Sequence, residues 1–564
     1  MTRSNLVLIL RLSLLGVVCF LVLYPLGMLV YSSFREAMPG LPSLYSLKGY
    51  IDVYLDPSTY RVIWTTVWIA VLKAILSVGL AIFFCWVVHR TNCAARRLID
   101  VILHLNFFLL PPLPVIIGWV LILAPNSGIV NVWFASVFGR PLFNIFSSWG
   151  IIFVMISFGV SVYYVFLAPS FMAMDATMEE AAMTSGASGF ATVRKVVLPL
   201  LAPGILATML LSFIQGMEMF AAPLFLGVPA NIEVMSTKIF FYIQSIPPDY
   251  TAATAMAVML LVITSFLVFV QWRILGHREF VTITGKGYGP RPMDLGRWRW
   301  PVFGIAAMIL FTFTVPPFIV LIQTTFMKVA GVYLPGMYTL SNYTQVFQRP
   351  DILDALKNTV ILGVVAATAG TVICTLVSYV VVRTRFRERR VLDFVTWLPF
   401  SVAAIVLSLA FLWAYIYLPL PFGITLYGTL AILVLIVITK NLPIGVKTMG
   451  SGIIQVSPQL EESAWVHGAS WTQTLLRIWV PLLKNSLQSV WIILFCFATT
   501  DLASLILLYS PSSRVLATVF YEYWEMGNVE VASVVGLLQA GIIIVGYVVV
   551  KLLGRWLGGV KEMA

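Results

Sequence analysis

Two acids interrupt otherwise apolar stretches of the chain: Glu218 in "FIQGMEMFAAPLFLG" and Asp501 in "FATTDLASLILL". An ionisable group in such surroundings is costly and is a functional candidate by default. Carboxylate oxygens are hard ligands and suit a hard cation. A second reading stays open, in which each acid caps a broken helix or bonds a neighbour. Gln215 and Thr500 stand beside the acids, and Lys73 lies in the middle of another apolar run, free to pair with Glu218 or to snorkel. Lys440 reads as interfacial. Met217 and Met219 read as apolar packing.

Other chemistry finds no constellation. The four histidines, His89, His104, His277 and His467, are scattered without metal-ligand spacing. Cys19, Cys85, Cys93, Cys374 and Cys496 contain no CxxC pair, so neither a disulfide framework nor a zinc site is expected. "TGKGYG" lacks the glycine spacing and the Ser/Thr of a phosphate-binding loop. No catalytic residue, metal site or bound cofactor is therefore assigned.

The elements that must carry these residues are set by composition. Of 564 residues, 60% are hydrophobic and 10% charged, where a soluble domain carries about 25% charged. Such a chain cannot cover itself with polar surface in water. A spanning helix needs about 20 mostly apolar residues, and twelve stretches qualify: 6–33, 61–88, 101–124, 145–170, 200–226, 253–275, 301–325, 358–382, 394–418, 426–449, 482–509 and 532–557. The expected fold is an all-α polytopic membrane protein. The first stretch is too long for a signal-peptide core and reads as a retained anchor.

The formal charge of +12 sits in short clusters between apolar stretches. Arg90/Arg96/Arg97, Arg194/Lys195, Arg273 to Arg299, Arg383 to Arg390 and Lys551/Arg555 fall on alternate loops, with acidic or neutral loops between them. That is the positive-inside pattern and predicts both termini on the cytoplasmic side. Nucleic acid is not an expected partner; the lipid bilayer is.

The chain is also duplicated. "TTVWIAVLKAILSVGLAIFFCWVVHRT" (65–91) matches "NTVILGVVAATAGTVICTLVSYVVVRT" (358–384) at an offset of 293, and "EEAAMTSGAS" (179–188) matches "EESAWVHGAS" (461–470) at an offset of 282. This predicts a first half at 1–284, a Gly/Pro/Arg-rich linker at 285–300 and a second half at 301–564, each with six spans in the same orientation.

Each half carries one polar interruption between its fourth and fifth spans, 178–205 and 460–487. The first runs Glu179-Glu180-Ala181-Ala182, then Gly186, then Val196-Val197-Leu198-Pro199. The second runs Glu461-Glu462-Ser463-Ala464, then Gly468, then Ile478-Trp479-Val480-Pro481. Glu and Ala favour a short helix, Gly ends it, and Pro opens the next span. Both stretches resemble the EAA loop of binding-protein-dependent ABC importer permeases. Ser463, Val196 and Val480 depart mildly from that pattern.

The resemblance covers essentially the whole chain and implies the type I permease fold. It also implies a role for Glu179, Glu180, Ala181, Ala182, Gly186, Glu461, Glu462, Ala464 and Gly468 in coupling to two copies of a separate ATPase subunit, which would hold the ATP and Mg. A periplasmic binding protein would deliver substrate, the inner membrane would be the location, and the chain itself would be no enzyme. Fused permeases of this layout resemble ferric-iron transporters most; relatives move thiamine, aminoethylphosphonate or sugar phosphates. The resemblance makes Glu218, Asp501, Gln215, Thr500 and Lys73 pathway candidates. A twelve-span secondary transporter of the major facilitator type is the alternative; it leaves the paired EAA stretches unexplained.

Overall fold

The computed structural model describes residues 3–556 apart from 37–38, 40, 42–43, 175–181, 183, 187, 276–292, 385–387 and 417–424. Among the described residues, nine helices are long and apolar enough to cross a membrane, and three further helix pairs qualify only across a bend. The one strand pairing among them is the short hairpin of Arg35–Glu36 with Leu44–Tyr45.

In the first repeat the elements are α1 (Arg3–Ser32), α2 (Pro57–Arg90), α3 (Arg96–Leu109), α4 (Pro112–Leu123), α5 (Ser148–Ala173), α6 (Leu198–Met217), α7 (Met235–Gln244) and α8 (Tyr250–Leu275). In the second they are α9 (Arg299–Thr325), α10 (Pro350–Arg383), α11 (Arg389–Trp397), α12 (Ala404–Ile416), α13 (Leu430–Gln455), α14 (Pro458–Val466), α15 (Lys484–Thr500), α16 (Leu516–Glu525) and α17 (Val529–Trp556). The duplication holds in length as well as sequence: α2 and α10 both have 34 residues, and α5 and α13 both have 26. Thr66 of α2 accepts a hydrogen bond from the Met235 N–H at 3.0 Å, and Thr359 of α10 accepts one from the Leu516 N–H at 2.8 Å. The same threonine thus docks the start of α7 in one repeat and of α16 in the other.

Four of the expected spans are not single helices, among them 200–226, which stops as a helix at Met217 and resumes as a π turn at Pro223–Gly227. The stretch 101–124 is α3 and α4, bent by 105°, and 394–418 is α11 and α12, bent by 112°. Leu110 and Pro111 are extended at the first bend, as residues beside prolines prefer to be. Val402 is extended at the second, after the turn Leu398–Ser401 that holds Pro399. The stretch 482–509 stops as a helix at Thr500, leaving 17 residues in α15, about 26 Å at 1.5 Å per residue. The segment Pro223–Ala230 with α7, bent by 77°, forms a third bent pair, one that the twelve expected stretches do not include.

Packing divides the chain into two compact units that do not follow the halves 1–284 and 301–564. One gathers residues 1–56, 239–261 and 339–564; the other gathers 57–238 and 262–338. In the first of these, α1 lies against α12 and α11. Its Tyr24 donates to Ala414 O at 3.0 Å and meets Tyr415 edge-on at 6.2 Å. In the other, α9 lies against α4 and α3. Asn106 donates to Thr314 at 2.8 Å, and Gly118 lets the Pro317 backbone come so close that a methyl group there would collide with it. The leading helix of each repeat therefore completes the other repeat's body. Hydropathy sets a helix's length but not its partner, so the linker's place in sequence does not mark a packing boundary.

The described end of the linker is fixed in place. Met293 exchanges backbone hydrogen bonds with Arg90 and Asn92, and Asn92 Nδ2 donates to Asp294 at 2.6 Å. The Gly296 N–H and the Asn92 amide hold the Asp294 carboxyl below the usual carboxylate range.

Candidate functional site

The two polar elbows are built to one plan. In the second repeat α14 ends at Val466, and Gly468 follows with φ +79°, a conformation only glycine adopts cheaply. The Ala469 N–H reaches back to Ala464 O at 3.0 Å, the six-to-one bond of a Schellman terminus. Ser470 then restarts the chain: its Oγ accepts from the Gln473 N–H at 3.2 Å while Gln473 Oε1 accepts from the Ser470 N–H at 2.8 Å. That reciprocal pair is a capping box. A helical turn at Trp471–Thr474 and a π turn at Leu475–Trp479 lead toward α15.

At the same offset of 282 the first elbow repeats the left-handed glycine, the serine cap and the π turn, but with Ala191 in place of Gln473 its cap is one-sided. Gly186 has φ +86°, Ser188 caps a turn at Gly189–Thr192, and a π turn at Val193–Val197 leads into α6. Glu179, Glu180 and Ala181 lie outside the described residues; Ala182 is half-buried and Gly186 exposed.

The acids of the second elbow part company. Glu462 faces solvent, as do Leu460 and Val466, the latter 84% exposed. Glu461 is buried and accepts a hydrogen bond from the Tyr379 hydroxyl of α10. Ala464 is half-buried beneath the exposed surface. One acid is thus presented outward and the other ties α14 to the helix behind it.

The intramembrane polar residues collect in a separate place within each unit. In one, Lys73 of α2 is buried and donates to Ser212 O at 3.0 Å and to the Tyr163 hydroxyl; Tyr163 donates on to Gln215 Oε1 at 2.7 Å. Glu218, which ends α6, is the charged neighbour of Lys73. In the other, Asp501 ends α15 and its Oδ2 lies 2.8 Å from Lys440 Nζ of α13. Its Oδ1 accepts from the Ser504 N–H at 3.2 Å. Thr500 bonds back to Cys496 O at 2.9 Å.

Lys440 is therefore no interfacial lysine: it turns inward to a carboxylate whose side chain is only 7% exposed. Each repeat sets a lysine near the acid that ends its fifth span, and it draws that lysine from the second span in one case and the fourth in the other.

One further cluster escaped the sequence. Tyr164 donates to Asp100 Oδ1 at 2.6 Å, His89 Nε2 lies 3.2 Å from the same hydroxyl, and His104 Nδ1 lies 3.1 Å from Asp100 Oδ1. Asp393, the equivalent of Asp100, lies 3.5 Å from Lys447. The recurrence of this acid at an offset of 293 was the signal available. Its partners change type between repeats, so no motif marks them.

No protein-family model matches the chain. Curated relatives do. The ferric transport system permease protein FbpB of Actinobacillus pleuropneumoniae is 26% identical over 557 residues, 97% of this chain and 78% of the relative. A putative ferric transport system permease protein FbpB 1 of Haemophilus influenzae is 27% identical over 508 residues, 89% of this chain and 78% of the relative. The sulfate transport system permease protein CysT of Salmonella typhimurium is 29% identical over 256 residues, 45% of this chain but 86% of the relative, which suits a single-repeat protein set against a duplicated one.

Proposed function

We infer that this chain, the multi-pass inner-membrane permease subunit of an ABC importer and not itself an enzyme, passes ferric iron into the cytoplasm from a separate binding protein. Two copies of an ATPase subunit, carrying ATP and Mg, would grip the elbows at 178–205 and 460–487 and drive the permease between outward-open and inward-open states. The arginine-rich loops support a cytoplasmic position for the elbows and both termini.

The observation that carries this reading is the elbow geometry. Two surface turns, each with a left-handed glycine, a capped restart and a π turn, recur at equivalent positions in the two repeats. Local stability alone does not require that match, whereas two identical motor subunits do. Exposed Leu460, Glu462 and Val466 supply the apolar and charged contacts that a docking groove would take.

The relatives that span most of the chain support iron as cargo. The lysines support a second cargo class. Lys440 is paired with Asp501 at 2.8 Å and Lys73 lies in the neighbourhood of Glu218, so the acids offer less uncompensated negative charge than a cation site would need, which is the ground for a cargo of the sulfate type.

The test is uptake into proteoliposomes holding permease, ATPase and binding protein. Uptake of radiolabelled ferric iron that excess sulfate leaves untouched supports the iron reading. Competition by sulfate with no iron uptake overturns it. Cross-linking of a cysteine at Glu462→Cys to the ATPase checks the elbow assignment independently of cargo.

A further inference from the structure

The second span of each repeat ends on an arginine, and the two arginines are used in the same way. Arg90 Nη2 donates to Phe171 O and to Met174 O, both at 2.9 Å. Arg383 Nη2 donates to Ile453 O at 2.8 Å and to Val456 O. The arginines correspond at an offset of 293 and their four acceptors at 282, so the bonds recur atom for atom in two units whose surrounding side chains differ.

The acceptors are the last carbonyls of the fourth span. Met174 ends α5 and Val456 ends α13, where helical carbonyls lack partners and a cation is favoured. The elbow begins with the next residues. Each arginine's own helix end is braced in turn: Arg96 Nη1 donates to Thr91 O and Arg389 Nη1 to Thr384 O, both at 3.0 Å.

In the second repeat the contact extends to both ends of the elbow. The Arg383 guanidinium lies 5.1 Å from the ring centre of Trp479, in the π turn that leaves the elbow. Tyr379, one turn earlier on α10, meets the same indole edge-on at 5.6 Å and donates to Glu461. The end of α10 thus touches the elbow's start at Glu461 and its exit at Trp479.

Burying a guanidinium is costly unless its donors are used, and Arg90 is only 2% exposed. A helix end can be closed more cheaply by glycine or water. A planar, permanently charged group adds rigidity: it locks two carbonyls three residues apart to another helix.

We propose that Arg90 and Arg383 are positioning residues for energy coupling. Each fixes the angle at which an elbow leaves the fourth span, so that movement of the elbow carries the second and fourth spans together as one lever. This rests on the elbow reading above.

The experiment uses the full complex of permease, ATPase and binding protein in proteoliposomes, with Arg90→Ala, Arg383→Ala and Arg383→Lys. The alanine variants keep ATPase copurification and basal hydrolysis, while ATP consumed per ion imported rises about tenfold, the size of an ordinary coupling free energy. Arg383→Lys keeps the charge, loses the fork and falls between; it carries the test alone should the alanine variants fail to accumulate. Asn358→Ala is the control. Asn358 binds the Ser512 and Arg514 carbonyls at the opposite end of α10 at 3.2 and 3.0 Å, so its loss loosens the same helix away from the elbow. A wild-type ratio in the arginine variants, or an equal rise in Asn358→Ala, overturns the proposal. A wild-type complex whose ATPase never cross-links to the elbows overturns the elbow reading instead.

Discussion

Lys440 and Asp501 stand 2.8 Å apart, and the first repeat cannot form this pair, because Phe158 and Met219 occupy the equivalent positions. The lysine is partly exposed, with 31% of its side chain open, so the pair is worth less than a fully buried one. Lys440→Met leaves the carboxylate without its counter-charge and is expected to cost about 1–3 kcal/mol, below the usual figure for breaking a buried pair. Lys440→Met with Asp501→Asn should recover most of that loss in thermal melts of the solubilised protein. If Asp501 also meets cargo, the double variant melts like wild type yet transports poorly; a single variant as stable as wild type would show the pair to be idle.

How far the sequence reached follows from what kind of signal each feature leaves. The elbows were legible because Glu180, Gly186, Glu462 and Gly468 lie close together in the chain and their spacing is imposed by local backbone geometry. The surroundings of the lysines were not, because Lys440 reaches Asp501 from another helix and Lys73 bonds Ser212 and Tyr163 on two others. The exchange of α1 and α9 left no trace either, since a uniformly apolar helix fits many neighbours. The bend at Pro111 was visible as a proline run, but the apolar residues on either side continue as though one span ran through.

A second prediction concerns the crossing of fourth and fifth spans. In one repeat Gly204 faces Ser170; in the other Gly452 faces Ser486. These are equivalent positions with the residues traded, and in each a methyl group on the glycine would run into the serine hydroxyl. Close helix crossings in membranes favour such small pairs. Gly452→Ser alone should cost about 1–3 kcal/mol by overpacking. Gly452→Ser with Ser486→Gly recreates the first repeat's arrangement and should melt within about 0.5 kcal/mol of wild type. Equal losses in single and double variants would mean the crossings differ.

The buried Glu461 gives a third. Tyr379→Phe removes its hydrogen-bond donor, leaving a buried carboxylate to bear about 1–3 kcal/mol of uncompensated desolvation. Glu461→Gln keeps an acceptor oxygen for the tyrosine and should be tolerated. Glu462→Gln, out in solvent, should leave stability unchanged. Melting temperatures in that order support a tying role for Glu461; a damaging Glu461→Gln beside a harmless Tyr379→Phe would refute it.

The left-handed glycines supply the last. Nothing stands within 4 Å of a methyl group built on Gly468 or Gly186, so any effect of adding one is purely conformational. Holding an alanine at φ +79° costs about 1–2 kcal/mol, and asparagine, which tolerates this region, costs less. Because α14 is short and its outer face exposed, this cost falls on local opening of the elbow and not on global unfolding. Hydrogen exchange across 458–466 should therefore quicken in Gly468→Ala, less so in Gly468→Asn, while the melting temperature of the whole chain stays put. ATPase docking should weaken in the same order, since a frayed helix must be reordered before it can be gripped. Rapid exchange with unimpaired docking would mean that the motor does not need a preformed helix there.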